Sequence, residues 1–214
     1  MKLETTRLVM RPIREEDASF LYPLINDAEV VLNLRDVPHP YPENQLIKWI
    51  RAVRQSMAEK SALEMAIVLR ENNRPIGICA LDHLDWNLKS AELGYWLGRQ
   101  YWAQGYMTES VRAIVQFGFV YLGLERIYAH CITRNIASAR VLRKAGLKYE
   151  GLSEHPVEKA EGLFDVMRFG IMKFEYQAYH QSKLWLQSVD GIQEWLATGV
   201  LETDENQESP HDAP

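Results

Sequence analysis

Apolar residues recur along the chain in two periods, and each change of period predicts the boundary of a strand or a helix. A spacing of two indicates a half-buried strand, and a spacing of three to four indicates an amphipathic helix. The pattern predicts, in order, a strand over 7–14, helices over 15–25 and 43–59, strands over 65–69, 75–84 and 91–97, a helix over 106–122, a strand over 124–133, a helix over 134–144, and strands over 147–153 and 164–173. Meandering strands followed by crossover helices indicate a mixed α/β sheet with helices on its faces.

The predicted helices carry apolar stripes, and the chain changes character after the last predicted strand. The first two stripes consist of Phe20, Leu21, Leu24 and Ile25, and of Leu46, Ile47, Ile50 and Val53. Residues 174–199 have a helical pattern, marked by Trp185, Val189, Ile192 and Trp195. From Glu202 the sequence is acidic and contains proline, which favours disorder. We therefore expect one domain over 1–175, a helical extension over 176–200 and a disordered tail over 201–214.

Composition narrows the class of protein without indicating an activity. The 214 residues are 47% hydrophobic and 25% charged, as in a soluble globule, and the net charge of −5 argues against a nucleic-acid partner. The N-terminus lacks the apolar core of a signal peptide, and no apolar run could cross a bilayer, so we expect a cytoplasmic protein without a membrane partner. Cys79 and Cys131 lie in apolar runs without metal-type spacing, which predicts buried, reduced thiols and no metal site.

The stretch 91–110 contains the first candidate site. An apolar, strand-like run is followed by a polar turn with Gly98 and Gly105, and a helical pattern begins directly after Gly105. The first amides of a helix have no intrahelical acceptor, and the helix dipole adds partial positive charge at that end. This arrangement therefore suits a phosphate group, and a plain connecting loop is the alternative.

A second candidate site lies at the start of the helix predicted after the 124–133 strand. Asn135 can cap this helix through its side chain, Ser138 lies one turn on, and Gly146 is placed to end the helix. Capping alone is one interpretation of both side chains. The other is that they contact a ligand between this helix and the preceding strand.

Taken together, these segments resemble the GNAT superfamily of acyl-CoA-dependent N-acyltransferases. The resemblance rests on Glu92-Leu-Gly-Tyr-Trp-Leu, on the loop from Gln100 to Glu109, and on Asn135-x-x-Ser138 with Lys144-Ala-Gly146. Similarity to the RimJ and RimL branch of ribosomal-protein N-terminal acetyltransferases rests on Glu4-Thr-Thr-Arg7-Leu-Val-Met-Arg11-Pro and on Gly162-Leu-Phe-Asp165. The resemblance implies a GNAT fold, with a mixed, mostly antiparallel sheet of about seven strands and helices on both faces.

The resemblance also implies that acetyl-CoA is the acyl donor. Its binding residues would be Trp96, Leu97, Gln100, Ala103, Gln104, Gly105, Tyr106, Met107, Thr108, Asn135 and Ser138. The pantetheine arm would lie where the fourth strand of the fold splays from the fifth, held by backbone groups of Trp96 and Leu97. Ala103 departs from the family pattern, because it replaces the first glycine of the phosphate loop. Its Cβ disfavours a positive φ and crowds a phosphate.

The chemistry that the resemblance implies is direct transfer to an amine, which needs a proton acceptor at the amine and a proton donor at the departing thiolate. Ser138 would be the donor, or would orient the thiolate or a water molecule. Glu92 would be the base, with Asp82, His83 and Asp85 as competitors. Glu109, in the first turn of its helix, is expected to complement the helix dipole.

The acceptor site is expected between the loop 32–41 and the connection 155–162. The acidic residues around that connection, which would suit a cationic amine, are Glu154, Glu158 and Glu161. The aromatic run either packs in the core or lines the acceptor or pantetheine channel; its members are Tyr95, Trp96, Tyr101 and Trp102.

The sequence thus predicts an acetyl-CoA-dependent N-acetyltransferase, as a monomer or homodimer, acting on a primary amine. A protein or peptide α-amino group is slightly favoured. Acetylation of a small-molecule amine, such as a polyamine, an amino acid or an antibiotic, is the alternative among enzymes. A non-catalytic CoA-binding or interaction protein is the alternative from another class.

Overall fold

A computed structural model of the chain describes residues 1–35, 37–159, 162–180 and 184–199, and the strands in these ranges form a nine-stranded sheet and a two-stranded hairpin. The strands are β1 Lys2–Glu4, β2 Leu8–Pro12, β3 Leu63–Leu69, β4 Pro75–Asp85, β5 Ser90–Leu97, β6 Arg126–Ile132, β7 Lys148–Leu152, β8 Val157–Lys159, β9 Gly162–Phe164, β10 Val166–Met172 and β11 Ser188–Asp190. The helices are α1 Ala18–Ile25, α2 Ala28–Val31, α3 Glu43–Ala58, α4 Tyr106–Val120, α5 Ile136–Lys144, α6 Lys173–His180 and α7 Ile192–Thr198. Single 3-10 turns occupy Glu15–Asp17 and Arg99–Tyr101.

The large sheet has the order β11-β1-β2-β3-β4-β5-β6-β10-β7. Its pairings are antiparallel except that of β5 with β6, so the predicted mixed, mostly antiparallel sheet is confirmed. It has nine strands rather than about seven, because β1 and β11 extend the edge beyond β2. Helices flank the sheet, with α1 and α3 against β3 and β4, and α4 and α5 against β4 to β6. Each helix of the described ranges is too short or too polar to cross a bilayer.

The apolar stripes of the first two helices are largely buried as predicted, but the prediction is wrong for one residue in each stripe. Phe20 is 46% exposed and Ile47 is 36% exposed, whereas the other members of both stripes are buried. Each of the two residues directly neighbours a buried stripe position, at the flank of its helix, where the side chain turns toward solvent. Cys79 and Cys131 are free and buried, as predicted.

The prediction of a continuous helix over 174–199 is wrong. Helix α6 ends at His180, and Ser188–Asp190 pairs with Lys2–Glu4 as β11. Gly191 then adopts φ 71° and directly precedes α7. Trp195 is fully buried and donates a hydrogen bond from Nε1 to Met57 O (2.9 Å), which fixes the extension on α3. The predicted disordered tail at 201–214 lies outside the described residues.

The strands β5 and β6 separate soon after they meet. They pair over three residues only, Ser90–Glu92 with Arg126–Tyr128, although β5 continues to Leu97 and β6 to Ile132. Over the rest of its length, β5 is paired on its other side with β4. The predicted splay between two central strands is therefore present, and it leaves a gap lined by backbone groups without a neighbouring strand.

The backbone of β5 presents alternate residues to this gap. Lys89 O accepts the Arg126 amide (3.1 Å), and the Gly98 amide donates to Ile76 O across β4 (2.9 Å). Because hydrogen-bonding direction alternates along a strand, the backbone groups of Tyr95 and Leu97 face the gap. Those of Trp96, which was predicted to hold the pantetheine arm, face β4.

Candidate active site

The gap between β5 and β6 opens into a cleft of ≈ 820 Å³. Its walls come from both strands, the loop before α4, the first turn of α4, one face of α5 along its length and the segment before α3. Predicted site residues that line it are Glu92, Trp96, Leu97, Ala103, Gly105, Met107, Thr108, Asn135 and Ser138. Gln100, Gln104 and Tyr106 do not line it.

The loop before α4 keeps the shape of a phosphate-binding loop despite its alanine. Ala103 has φ 58° and Gly105 has φ 84°, so both adopt left-handed conformations. For alanine this conformation costs about 1–2 kcal/mol. Gly105 is the residue before the first turn of α4, whose amides have no intrahelical acceptor. The loop and helix start therefore fit a pyrophosphate, in line with the sequence prediction.

The N-terminal segment braces this loop from outside. Arg7 donates from Nη1 to Gln104 O (3.0 Å) and from Nε to Glu109 Oε2 (2.7 Å), and its guanidinium lies 4.4 Å from the Tyr106 ring centroid. Gln104 Nε2 also donates to Gln100 O (2.8 Å). Gln104 and Tyr106 thus shape the loop from behind, and Glu109 holds Arg7 in addition to occupying the first helical turn.

On the α5 side of the gap, the polar groups are uncharged. Asn135 Oδ1 accepts the Ser138 amide (2.9 Å) and caps α5, as predicted. Tyr95 Oη lies 2.8 Å from Ser138 Oγ and 3.2 Å from Ser138 O. Burial raises the pKa of Tyr95, with the Ser138 hydrogen bond opposing, and burial likewise raises the pKa of the nearby Cys131 thiol. These groups remain protonated near neutral pH.

On the other side of the gap, which we call the ionised side, the polar groups surround a charged and hydrogen-bonded carboxylate, that of Glu92. Glu92 Oε1 accepts hydrogen bonds from Arg35 Nη2 (2.9 Å) and His130 Nδ1 (2.9 Å), and Oε2 lies 3.4 Å from His83 Nδ1. Burial opposes ionisation, but the His130 hydrogen bond and the Arg35 charge outweigh it, so the pKa of Glu92 lies below its ordinary value. An acceptor-only carboxylate of this kind orients His130 well and binds a proton weakly by itself.

The three competing base candidates lie outside the cleft lining. Asp82 is opposite Glu92 in the β4–β5 register, and burial raises its pKa. His83 has φ 50° in the irregular end of β4, and its side chain is 74% exposed. Asp85 Oδ1 accepts the amides of Asn87 and Leu88, so it stabilises the turn between β4 and β5.

The aromatic run lines the cleft in full, with Tyr95, Trp96, Tyr101 and Trp102 all on its walls. Trp102 Nε1 donates to the gap-facing carbonyl of Leu97 (2.7 Å), which fixes the loop against the end of β5. These side chains also pack on the core with the exception of Trp102, which is 37% exposed. Most of the run therefore packs on the core and lines the cleft at once, and its role in an acceptor or pantetheine channel stays a prediction.

Of the two segments expected to form the acceptor site, one lines the cleft and the other does not. Residues Asn33, Leu34 and Arg35 line the cleft, whereas the described residues of 155–162 do not, because they form the β8–β9 hairpin. Glu154 and Glu158 are exposed outside the cleft lining, and Glu161 lies outside the described residues.

Sequence reasoning missed two residues of the ionised side, His130 and Arg35. The strand alternation of 124–133 places position 130 on the face of position 128, and pairing with β5 brings that face to Glu92. This signal could have identified His130. Arg35 lies in an aperiodic loop, where no local pattern predicts its partner.

A sheet split at its one parallel strand pair, beside a helix start shaped for phosphate, is the architecture expected of an acyl-CoA-dependent N-acyltransferase. Residues 7–148 match the family model of the acetyltransferase (GNAT) domain, and the chain belongs to this family of N-acetyltransferases.

Relatives and similar folds are named as enzymes of the same class. The uncharacterized N-acetyltransferase p20 of Bacillus licheniformis is 33% identical over 175 residues, covering 81% of this chain and 97% of that protein. The fold resembles RimL, a ribosomal L7/L12 α-N-protein acetyltransferase solved with coenzyme A (TM-score 0.69, 22% identity, 80% and 98% of the two chains). It equally resembles a chimera of the spermidine N-acetyltransferase SpeG from Vibrio cholerae and hSSAT (TM-score 0.70, 16% identity, 80% and 98%). Both protein and small-molecule acceptors thus occur among the similar structures.

Proposed function

We propose that this N-acetyltransferase transfers the acetyl group of acetyl-CoA to a primary amine by direct attack in a ternary complex. The observation that carries the proposal is the contrast across the β5–β6 gap, with the Glu92 carboxylate hydrogen-bonded to His130 on one side and the neutral hydroxyls of Tyr95 and Ser138 on the other. Attack by an amine requires proton removal at the nitrogen and proton donation at the leaving sulfur. The side with Glu92 and His130 can remove the proton from the nitrogen, and the side with Tyr95 and Ser138 can donate a proton to the sulfur.

On the ionised side, His130 takes the proton of the amine, and Glu92 acts through it. The carboxylate accepts the Nδ1 proton of His130, which leaves Nε2 with a lone pair. Within the described residues, Nε2 has no hydrogen-bond partner, and the ring lines the cleft. Glu92 is therefore a positioning residue, whose ionised form also stabilises the imidazolium that proton transfer creates.

On the neutral side, Ser138 donates a proton to the departing sulfur and regains one from solvent, into which the His130 imidazolium releases the proton taken from the amine. Either hydroxyl can be the donor in the 2.8 Å contact of Tyr95 Oη with Ser138 Oγ, and this role requires that Tyr95 donate, so that the proton of Ser138 points into the cleft. The thioester supplies an activated acyl carbon, and the gap-facing amide of Leu97 or Tyr95 serves the developing oxyanion.

A protein or peptide α-amino group is favoured as the acceptor. Such a group has an ordinary pKa near 8, whereas alkyl amines such as lysine side chains titrate above 10, so an imidazole base is better matched to the α-amine. Similarity to RimL supports this acceptor, and similarity to SpeG supports the alternative of a polyamine.

Calorimetric titration with acetyl-CoA is the first test, with Gly105→Trp as the variant and Gly123→Trp as its control. Both glycines have positive φ, but Gly123 lies after α4, outside the cleft. We expect micromolar binding that Gly105→Trp abolishes and Gly123→Trp preserves. Release of free CoA thiol is then measured with a panel of peptides and with spermidine. Absence of binding at millimolar acetyl-CoA contradicts the proposal, and binding without turnover on any amine favours a CoA-binding protein.

A further inference from the structure

The segment that carries Arg35 forms an ordered wall of the cleft. The amide of Leu34 donates to Val31 O (3.0 Å), so the segment continues α2 by one turn. Arg134, two residues after β6, donates from Nη2 to Leu32 O, which ties the segment to the end of that strand. Arg35 and Arg134 both line the cleft. The backbone that carries Arg35 is thus fixed on two sides.

The Arg35 guanidinium has hydrogen-bonding capacity left for a ligand. Its Nη2 donates to Glu92 Oε1 (2.9 Å), and within the described residues Nε and Nη1 make no hydrogen bond. The side chain is 35% exposed, so a molecule in the cleft can reach it. A guanidinium presents its N–H donors in a planar fork that matches the two oxygens of a carboxylate. Arg35 can therefore bind a carboxylate of a ligand while it holds Glu92.

This open part of Arg35 lies next to the proposed base. Arg35 Nη2 and His130 Nδ1 contact the same oxygen of Glu92, each at 2.9 Å, so a single oxygen atom separates the two nitrogens. In the proposed function the acceptor amine loses its proton to Nε2 of the same imidazole ring. A carboxylate bound to Arg35 would consequently belong to the part of the acceptor that carries the amine, only a few bonds away from it.

The charges around Glu92 disfavour an acceptor that carries positive charge alone. Arg35, Arg134 and Glu92 line the cleft, and Glu92 is already paired with Arg35. The acidic side chains of Glu154 and Glu158 are exposed outside the cleft lining. Among the described residues, a polyamine would therefore meet two guanidinium groups and one paired carboxylate here. An acceptor with a carboxylate beside its amine would meet complementary charge.

We propose that Arg35 selects acceptor peptides whose first residue is acidic, by binding the side-chain carboxylate of that residue while the α-amine lies at His130. The inference rests on the proposed function, because it requires acetyl transfer to an amine at His130. Arg134 acts through the backbone of residues 32–35 and is a positioning residue. A free amino acid offers the same pair of groups through its α-carboxylate, and the experiment distinguishes the two sources.

The test measures kcat/KM by release of free CoA thiol with four peptides that differ only in their first residue, which is aspartate, asparagine, alanine or lysine. The wild-type protein is expected to prefer the aspartate peptide over the asparagine peptide by about tenfold, since a charge-assisted, partly exposed contact distinguishes them. In Arg35→Gln this ratio is expected to fall to within about twofold, and Arg35→Lys is expected to keep part of it. Arg74→Gln is the matched control, because Arg74 is an exposed arginine between β3 and β4, outside the cleft lining.

The ratio between the two peptides separates recognition of the carboxylate from a general loss of activity. Arg35 also holds Glu92, so Arg35→Gln is expected to lower the rate with every acceptor, and that loss cancels in the ratio. If the variant is too slow for kinetics, titration calorimetry of the N-acetylated aspartate and asparagine peptides with its CoA complex gives the same comparison without turnover. Thermal unfolding verifies that each variant keeps the fold.

Four results would overturn the inference while leaving the proposed function intact. Two of them are equal kcat/KM for the aspartate and asparagine peptides in the wild-type protein, and a preference that Arg35→Gln retains. The third is a preference for the lysine peptide or for spermidine. The fourth is transfer to free amino acids but not to their amides, without a preference among the peptides, which would assign Arg35 to an α-carboxylate. Absence of transfer to every amine would instead reject the proposed function and the inference together.

Discussion

The two sides of the β5–β6 gap have opposite chemistry although they are built from the same two strands. His130 and Cys131 are consecutive in β6, yet His130 contacts Glu92 on one face and Cys131 lies beside Ser138 on the other. Alternation along a strand separates them, because successive side chains point to opposite faces of a sheet. A split sheet thus places a carboxylate–histidine pair and a neutral proton donor on either side of one opening, where neither neutralises the other.

The largest effect is expected from removing the base on the ionised side. His130→Ala should lower kcat about 100-fold or more, and Glu92→Gln should lower it about tenfold to 100-fold, measured by thiol release with the best peptide of the panel. The acidic limb of the pH–rate profile should disappear in His130→Ala. His155→Ala, an exposed histidine outside the cleft, is the control. An unchanged profile in His130→Ala would exclude His130 as the base.

A smaller effect is expected on the neutral side, because a thiolate is a good leaving group. Ser138→Ala should lower kcat about tenfold with a small change in KM, as expected for an interaction made chiefly in the transition state. Tyr95→Phe should give part of this loss, and the double variant should lose less than the two effects combined, since both act through one hydrogen bond. Full activity of Ser138→Ala would remove it from the mechanism.

The smallest effect is expected on stability, and it comes from two carboxyl groups outside the cleft lining, those of Glu64 and Asp82. Burial raises the pKa of Glu64 and of Asp82 in the folded protein, and each is raised further by a neighbouring carboxylate. The folded chain therefore retains protons that the unfolded chain releases, so the free energy of unfolding falls as pH rises above about 4.5. Glu64→Gln should remove part of this loss. The free energy of unfolding of the variant, relative to that of the wild-type protein, should be higher by about 1 kcal/mol at pH 9 than at pH 5.

Urea unfolding at the two pH values measures this difference, and Glu71→Gln, in the exposed turn between β3 and β4, is its control. If Glu64→Gln keeps the pH dependence of the wild-type protein, the Glu64 carboxyl does not carry the effect.

Local patterns predicted most of the fold and part of the site. The strands of the centre, the loop with Gly105 and the cap at Asn135 depend on residues near one another in sequence, and all are found as predicted. The pairing of β11 with β1 was missed because it joins three-residue segments about 185 residues apart. Arg35 and the bracing by Arg7 were missed for the same reason, since their partners are set by tertiary packing. Ala103 was expected to disfavour a positive φ, yet it adopts φ 58°, and its role in cofactor binding stays a prediction.

The pairing of β1 with β11 also has a consequence during synthesis. The edge of β1 that β11 covers is made first, and its partner is translated about 185 residues later. At 5–20 residues per second, that edge stays uncovered for about 10–40 s. Throughout this interval the nascent chain presents an open strand edge to other nascent chains, a recognised route to aggregation. The need of the nascent chain for chaperones should therefore depend on how soon β11 is made and pairs with β1, and not on the residues of the cleft.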